Sequence, residues 1–199
     1  MARPIHAATC FAVLACVAAQ IGCATSGPHR ERRSGSPYTT PSEASRDTVA
    51  AQRLHQEAAE LMESDPARAE VLLKEALAAD LFYGPAHNNL GVLHLSRGEL
   101  YEAASEFEWA CKLMPGQPDP RVNLALVLES AGRTESALDA YATALEVSPG
   151  YLPAIQGLAS LQLRIGQPDH RTPDLLEQIA MRGDENWRQW ALGHMASER

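Results

Sequence analysis

The sequence GPAHNNLGVLHLSRGELYEAASEFEWACKLMPGQ at residues 84–117 is followed by a second version of itself, PDPRVNLALVLESAGRTESALDAYATALEVSPGY, at residues 118–151. Matched positions lie 34 residues apart and keep their size. They pair as Leu90 with Leu124, Gly98 with Gly132, Ala103 with Ala137, Phe107 with Tyr141, Ala110 with Ala144 and Pro115 with Pro149. A fixed period of this kind is the signature of a repeat protein. These two units therefore decide the fold of the chain.

Each unit carries the start and stop signals of two helices. Gly98 and Gly132 can end the first helix, because the residue after a helix often takes a left-handed backbone that strains every residue except glycine. Pro115 and Pro149 follow the second helix, since proline cannot continue one. Small residues mark where two helix backbones approach each other, and bulky residues fill the space around them. The small packing positions are Gly91, Ala103, Ala110, Ala125, Ala137 and Ala144.

The first unit closely resembles the tetratricopeptide repeat, a helix-turn-helix unit of this length. Its motif is His87-x2-Leu90-Gly91-x2-His94, then Ala103-x3-Phe107, then Pro115. Both units depart from the family at the first aromatic position, which is His87 in one and Arg121 in the other, so we expect unusual local packing there. The resemblance implies an α-α solenoid, in which repeats stack because one helix pair cannot bury its apolar face alone.

The period extends upstream into a degenerate first repeat. Its second helix is secured by Ala69, Leu73 and Ala76, which lie 34 residues before their counterparts, and Asp65-Pro66 supplies an N-cap and a first-turn proline. Its first helix is predicted to start near Ser45 to Thr48 and to run to about Glu63. The predicted apolar stripe of that helix consists of Val49, Leu54, Ala58, Leu61 and Met62.

Downstream, the period continues only through half a repeat, at residues 152–166. A short helix from Asp174 to about Met181 and a last helix from about Glu185 to Ser197 are then predicted. The face expected to cover the stack is Trp187, Trp190, Ala191 and His194. The alternative is an exposed aromatic patch for a partner.

The predicted fold is therefore all-α, a tetratricopeptide-type solenoid that fills residues 47–199. Three helix-turn-helix repeats occupy about 50–83, 84–117 and 118–151, followed by the half repeat and a capping region at 167–199. Repeats at the ends of such stacks are atypical because they cap the core.

Residues 1–23 predict a secretory signal, because Arg3 precedes a mostly apolar stretch without acidic residues. The end of this stretch, Ile21-Gly22-Cys23, resembles a bacterial lipoprotein signal, which implies lipidation at Cys23. The sequence departs from that family's motif at Gln20, and Cys16 is a second candidate. An ordinary signal cleaved near Ala24, or an uncleaved anchor, is the other interpretation.

Residues 24–46 are rich in Ser, Pro, Gly, Thr and Arg and lack an apolar period, which predicts a disordered tether. Ala24, rather than aspartate, after a lipidated Cys23 favours the outer membrane by the sorting rule of such lipoproteins in some bacteria. We therefore expect the protein in the bacterial cell envelope, anchored by lipid to the outer membrane and facing the periplasm.

The charge balance argues against nucleic acid as a partner. The formal net charge of the 199-residue chain is −8, with 17 basic and 25 acidic residues. Removing the stretch before Cys23 takes away Arg3 and leaves 16 basic residues, or −9. Binding to phosphates needs a positive surface, so a nucleic-acid partner is not expected.

No catalytic motif, phosphate-binding glycine loop or cofactor signature occurs in the sequence. His87 and His94 lie seven residues apart on one helix face, but they occupy the aromatic packing positions of the repeat, which favours packing over a metal. Cys111 stands where the repeat usually buries a leucine. We predict a protein that is not an enzyme and that binds no cofactor and no metal.

The resemblance implies a concave groove lined by the first helices, where ligands of this family usually lie. The predicted groove residues are Asn88, Asn89, Val92, Leu95, Val122, Asn123, Leu126 and Glu129. Some tetratricopeptide proteins use an asparagine at the position of Asn89 and Asn123 to bind a peptide backbone; the alternative is an amide that bridges neighbouring helices. The cations that clamp acidic chaperone tails in some relatives are missing here.

The function predicted from these features is an envelope adaptor or assembly factor that binds a protein or peptide partner in the groove. A structural protein that associates with itself is the first alternative, and a regulatory subunit of an envelope enzyme is the second. The sequence leaves the partner and the oligomeric state open.

Overall fold

A computed structural model of the chain describes residues 46–197. Every regular element in this range is an α-helix. The nine helices are α1 Thr48–Leu61, α2 Pro66–Ala79, α3 Gly84–Ser96, α4 Leu100–Leu113, α5 Asp119–Ser130, α6 Thr134–Val147, α7 Leu152–Arg164, α8 Thr172–Arg182 and α9 Glu185–Ser197. The predicted signal and nearly all of the predicted tether, with Cys16 and Cys23, lie outside the described residues.

The ends of the helices follow from local chemistry. Asp47 and Asp65 each accept a hydrogen bond from a backbone N–H in the first turn of their helix, at 2.9 and 3.0 Å. Gly98, Gly132 and Gly166 have φ angles of 75°, 73° and 68°, the left-handed conformation that the sequence predicts for the first two. Each of these glycines lies just beyond a first helix and turns the chain back on itself.

Helices α1 to α6 form three consecutive pairs, and α7 opens a fourth. The first helices α1, α3, α5 and α7 contact one another in series, while the second helices α2, α4 and α6 make no comparable contacts among themselves within the described range. Because the first helices are packed more closely, the stack curves with α1, α3, α5 and α7 on its inner wall. The all-α solenoid predicted from the period is confirmed.

The core lies between the two helices of each pair and between successive pairs. Phe107 of α4 and Tyr141 of α6 hold matched positions and are 0% and 1% exposed. The predicted packing residues that are buried are Leu90, Gly91, Ala103, Phe107, Ala110, Ala125, Ala137, Tyr141 and Ala144; Leu124 is half-buried. Gly98, Pro115, Gly132 and Pro149 are exposed at the helix ends, as their role in chain reversal requires.

The predicted stripe of α1 is wrong at its first member. Val49 is 80% exposed, whereas Ala51 is fully buried. These two residues lie two positions apart, which is about 200° around a helix at 3.6 residues per turn. Ala51 and Ala58, spaced by seven, share the buried face, and Val49 lies outside it.

An ion pair closes the N-terminal end of the stack. The carboxylate of Asp80, after α2, accepts from Arg46 Nε at 2.8 Å and from Thr48 Oγ1 at 2.7 Å. The backbone N–H of Phe82 donates to the same carboxylate at 3.0 Å. Arg46, assigned by the sequence to the end of the tether, thus contacts the folded part of the chain.

Helices α8 and α9 cover the other end. Leu176 and Ile179 of α8 and Ala191 of α9 are fully buried in the same cluster as the core of α6 and α7, and Trp187 and Trp190 pack partly against it. His194 is half-buried, with its ring nitrogen 2.9 Å from the carbonyl of Trp190. The predicted covering face of α9 therefore does contact the core.

Candidate peptide-binding groove

The inner wall of the stack carries two depressions, one toward each end. The first, the amide cavity, has a volume of about 340 Å³ and is bordered by His55, Pro85, Asn88, Asn89 and Asp119. It lies where α3 and α5 begin, next to α1. Its lining combines polar side chains, including the amides of Asn88, Asn89 and Gln117, with the apolar side chains of Pro85, Met114 and Pro120.

The second depression, the apolar recess, consists of two adjoining cavities between α5, α7 and α9. The larger, about 270 Å³, is bordered by Ser160, Asn186, Trp187 and Trp190. The other, about 250 Å³, shares Ser160 and Trp187 with it. Its remaining lining residues include Val122, Leu126, Glu129, Tyr141 and Gly157. The groove therefore has amide side chains at its first depression and becomes more apolar toward the second.

Four polar side chains form a hydrogen-bonded chain across three first helices. Asn89 Nδ2 lies 3.0 Å from His55 Nε2, Asn88 Nδ2 donates to Asn89 Oδ1 at 3.3 Å, and Asn123 Nδ2 donates to Asn88 Oδ1 at 3.0 Å. The chain links α1, α3 and α5. Of the two roles considered for asparagine here, the structure shows helix bridging directly.

The first link fixes the tautomer of His55. An amide nitrogen can only donate, so His55 Nε2 accepts, and its ring proton is on Nδ1. Nδ1 is buried and has no hydrogen-bond partner among the described residues. Burial lowers the pKa of the His55 imidazole because a buried ring disfavours the charged form. The neutral ring is the state that fits the observed bonds.

The apolar recess has one charged group at its rim, and that charge is compensated. Glu129 pairs with Arg164 at 2.7 Å and accepts a hydrogen bond from the Tyr141 hydroxyl at 3.2 Å. Burial and the neighbouring Glu129 raise the pKa of Tyr141 well above its usual range, so the hydroxyl remains a donor. Both partners of Glu129 hold it in place.

The two ends of the groove hold most of the predicted groove residues. Asn88 and Asn89 border the amide cavity, and Val122, Leu126 and Glu129 border the apolar recess. Asn123 borders neither cavity but donates a hydrogen bond to Asn88. Val92 and Leu95 line neither cavity; they are half-buried and pack against the cluster around Phe107.

The groove also contains residues that sequence reasoning missed. His55 lies 34 residues before Asn89, so the period itself could have found it. Gln156, which borders the recess, lies 34 residues after Val122 and carries the same signal. The sequence predicts Trp187 on the covering face of α9 or in an aromatic patch for a partner. Its place beside the recess has no counterpart in the period, which fails after Gly166.

His87 is built into the core of its repeat. It is 4% exposed, and its ring nitrogens lie 2.7 Å from Glu106 Oε2 and 2.8 Å from the Leu81 carbonyl. Trp109 stacks on the same ring, with centroids 5.8 Å apart. His87 thereby joins α3 to α4 and to the preceding loop.

His94 is also committed to a neighbour, since its Nδ1 lies 2.6 Å from Glu99 Oε2. Within residues 46–197, no group of three or more His, Cys, Asp or Glu side chains is placed to hold a metal ion. No helix in that range is both long enough and apolar enough to cross a bilayer.

Comparison with known proteins identifies the repeat. Residues 29–193 match the family described as protein kinase G tetratricopeptide repeat. The chain belongs to this family. The match covers all three repeats, the half repeat and most of the C-terminal cap.

Individual relatives of this tetratricopeptide repeat protein are distant. The TPR repeat-containing thioredoxin TTL4 of Arabidopsis thaliana is 32% identical over 93 residues, which are 47% of this chain and 14% of that protein. The chain thus spans a small part of the length of this curated relative.

Solved structures share the fold of this tetratricopeptide repeat. A mutant O-GlcNAc transferase of Thermobaculum terrenum is 26% identical, with a TM-score of 0.60 over 72% of this chain and 26% of that chain. The first TPR of Spaghetti (RPAP3), bound to the HSP90 peptide SRMEEVD, is 15% identical, with a TM-score of 0.58 over 62% of this chain and 98% of that chain. At 15% identity, the likeness to the RPAP3 repeat concerns the fold alone.

Proposed function

We propose that this chain is a non-catalytic adaptor or assembly factor of the bacterial cell envelope that binds a protein or peptide partner in its groove. The observation that carries the proposal is the inner wall itself. It offers, in succession, a segment bordered by amide side chains and an apolar recess. This suits an extended polypeptide, which presents both backbone polar groups and side chains.

The bridging role of the asparagines leaves them able to bind a peptide as well. An Asn amide has two N–H donors and an oxygen with two lone pairs. Asn88 and Asn123 each use one N–H in the chain of bonds. The unused donor and lone pairs can bond a peptide backbone, and the bridges hold the amides in position beforehand, which lowers the cost of binding.

The groove is not suited to an acidic ligand. The RPAP3 repeat is bound to a peptide that ends in EEVD, and some relatives clamp such tails with cations. The matching positions here are Pro85, Asn88, Asp119 and Val122. They supply one carboxylate and no cation, so we infer a neutral or basic partner.

The envelope part of the proposal rests on the first 46 residues. A secretory signal, lipidation at Cys23 and a polar tether would hold the repeats near the outer membrane, on its periplasmic side. Mass spectrometry of the mature N-terminus tests this directly. The proposal requires a lipid on Cys23; an unmodified N-terminus at another residue would exclude the anchor.

The groove is tested by comparing pull-downs from envelope extracts with the full chain and with an Asn89→Ala, Asn123→Ala double variant. We expect the double variant to lose or strongly weaken capture of a partner held by the wild type. A matched control is Ser105→Ala, Thr143→Ala, which removes two exposed polar groups from the second helices α4 and α6.

Thermal melting of the double variant is measured alongside, because each lost hydrogen bond costs about 1 kcal/mol. If the double variant captures the partner as well as the wild type does, Asn89 and Asn123 do not belong to the binding site. If the Ser105→Ala, Thr143→Ala control also loses capture, the binding site lies on the outer face.

A further inference from the structure

The apolar recess is shaped before any ligand arrives. Tyr141 lies beneath its floor, and Gly157 lets α7 pack directly on that ring, because a Cβ at position 157 would collide with it. Trp187 forms one wall and is held edge-on by Trp190, with ring centroids 5.2 Å apart. Trp190 in turn lies 4.6 Å from the His194 ring. A fixed aromatic wall of this kind favours a large apolar side chain.

The charges along the groove are uneven. At the recess, Glu129 is neutralised by Arg164 at 2.7 Å. At the other end of α5, the Asp119 carboxylate accepts from the Tyr151 hydroxyl and makes no ion pair within the described part of the chain. Burial, then the bond and charge of Asp119, raise the pKa of Tyr151 to about 12, so this partner stays a neutral donor. The Asp119 carboxylate therefore has an uncharged partner and no compensating cation within the described part of the chain.

The whole domain reinforces this preference. Five basic and three acidic residues lie outside residues 46–197, so the described part carries −10 against −8 for the full chain. A field of this sign attracts cationic segments and repels acidic ones. The cation is favoured at Asp119, and the apolar side chain is favoured at the recess.

The spacing between the two features sets the length of the ligand. Asp119 and Leu126 lie seven residues apart on α5, which is about 10 Å along a helix. An extended peptide covers that distance in about three residues. We propose that the groove selects a partner segment in which a lysine or arginine stands three residues from a large apolar side chain.

In this arrangement, which rests on the proposed function, the apolar side chain enters the recess between Leu126 and Trp187. The cation meets Asp119. The amides of Asn88 and Asn123 flank the backbone between them. Such a ligand differs from an acidic tail in both of its anchoring groups.

The test is fluorescence anisotropy of labelled ten-residue glycine-serine peptides with the full chain in detergent. The first probe carries one arginine and one leucine three residues further on. A second replaces the leucine with serine, and a third replaces the arginine with glutamate. We expect the second to bind about tenfold or more weakly, the loss expected for one buried leucine. The third probe should bind less tightly than the first, and this difference should be largest at low salt.

Variants of the protein locate the contact. Leu126→Glu should weaken the first probe about as much as removing its leucine does. Leu192→Glu is the matched control, because Leu126 and Leu192 are 42% and 46% exposed and Leu192 lies outside the recess. Circular dichroism checks that both variants fold. If Leu126→Glu does not fold, the comparison of the leucine and serine probes still tests the recess with wild-type protein.

Equal binding of the leucine and serine probes, or unchanged binding by Leu126→Glu, would overturn the recess assignment. So would the absence of binding by all three probes. If the serine probe binds as well as the first and the Asn89→Ala, Asn123→Ala variant abolishes both, the groove function stands and only the selection rule fails.

Discussion

Gly91 of α3 lies against the ring of Phe107 in α4, where a Cβ would come within 2.7 Å of a ring carbon. We expect Gly91→Ala to lower the free energy of unfolding by about 1 to 3 kcal/mol, because overpacking outweighs the gain in helix propensity. Chemical denaturation measures the change. Gly193→Ala in α9 is the control, since a Cβ there meets open space and should stabilise by up to about 1 kcal/mol.

A stabilised Gly91→Ala protein would contradict the close approach of α3 and α4. This contact was predictable from the sequence, because the repeat period marks small residues where helices cross. The ring that fills the gap does not follow from the period, because Phe107 meets Gly91 whereas its counterpart Tyr141 meets Gly157.

The ionisation of Asp80 makes the stability of the protein depend on pH. Burial by itself would raise the pKa of this carboxyl, but hydrogen bonds from Arg46, Thr48 and the Phe82 N–H, with the Arg46 charge, lower it below 3.8. A folded pKa below the unfolded value gives stability that is present above about pH 4 and is lost as pH falls through the folded pKa. We expect Asp80→Asn to destabilise the protein by about 2 kcal/mol at pH 7.

The difference between wild type and Asp80→Asn should shrink as the pH falls below 3.8, because the wild-type carboxyl then becomes neutral. Urea unfolding from pH 7 to pH 2 follows this difference. Asp65→Asn is the control, since asparagine caps a helix as well as aspartate does. A difference that stays constant with pH would show that the Asp80 charge has no part in it.

Hydrogen bonds between side chains of different helices could not be predicted from the sequence. The period places Asn89 and Asn123 at one level of the stack, but Asn123 bonds to Asn88 and not to its own counterpart. Likewise, the two bonds of His87 depend on where Glu106 and the Leu81 carbonyl lie in space. Side-chain partners of this sort follow from tertiary placement, which no local pattern encodes.

At the level of elements, α9 forms the end of the stack and one wall of the groove. The Trp190 ring packs partly on the core and edge-on to Trp187. We expect Trp190→Ala to cost about 2 kcal/mol or more of unfolding free energy, because it removes a large packed ring. Light scattering should give the same oligomeric state for the variant and the wild type. Leu192→Ala on the outer side of α9 is the control.

A dimer of the wild type that dissociates in Trp190→Ala would contradict the capping role and favour the self-associating alternative. The existence of α8 and α9, and the residues that face the core, were predictable from apolar spacing. The reach of Trp187 into the groove was not, because the repeat period ends at Gly166 and no spacing relates α9 to α5 or α7.

Across the whole molecule, curvature and charge act together. The first helices form the inner wall because they contact one another, whereas the second helices make no comparable contacts within residues 46–197. The described part of the chain is also strongly acidic. The repeat period predicts the stack and the groove. It does not predict that the groove changes from amides to an apolar recess, since that change depends on the C-terminal helix.

A partner that lies on the inner wall can be detected by photo-cross-linking in cells that express the full chain. A benzophenone side chain is placed at position 126 in the groove or, in a separate protein, at position 101 on the second helix α4. Leu126 and Tyr101 are 42% and 82% exposed, so both sites tolerate it. We expect a covalent adduct with a partner from position 126 and none from position 101. An adduct from position 101 alone would place the partner on the outer face and rule out the groove.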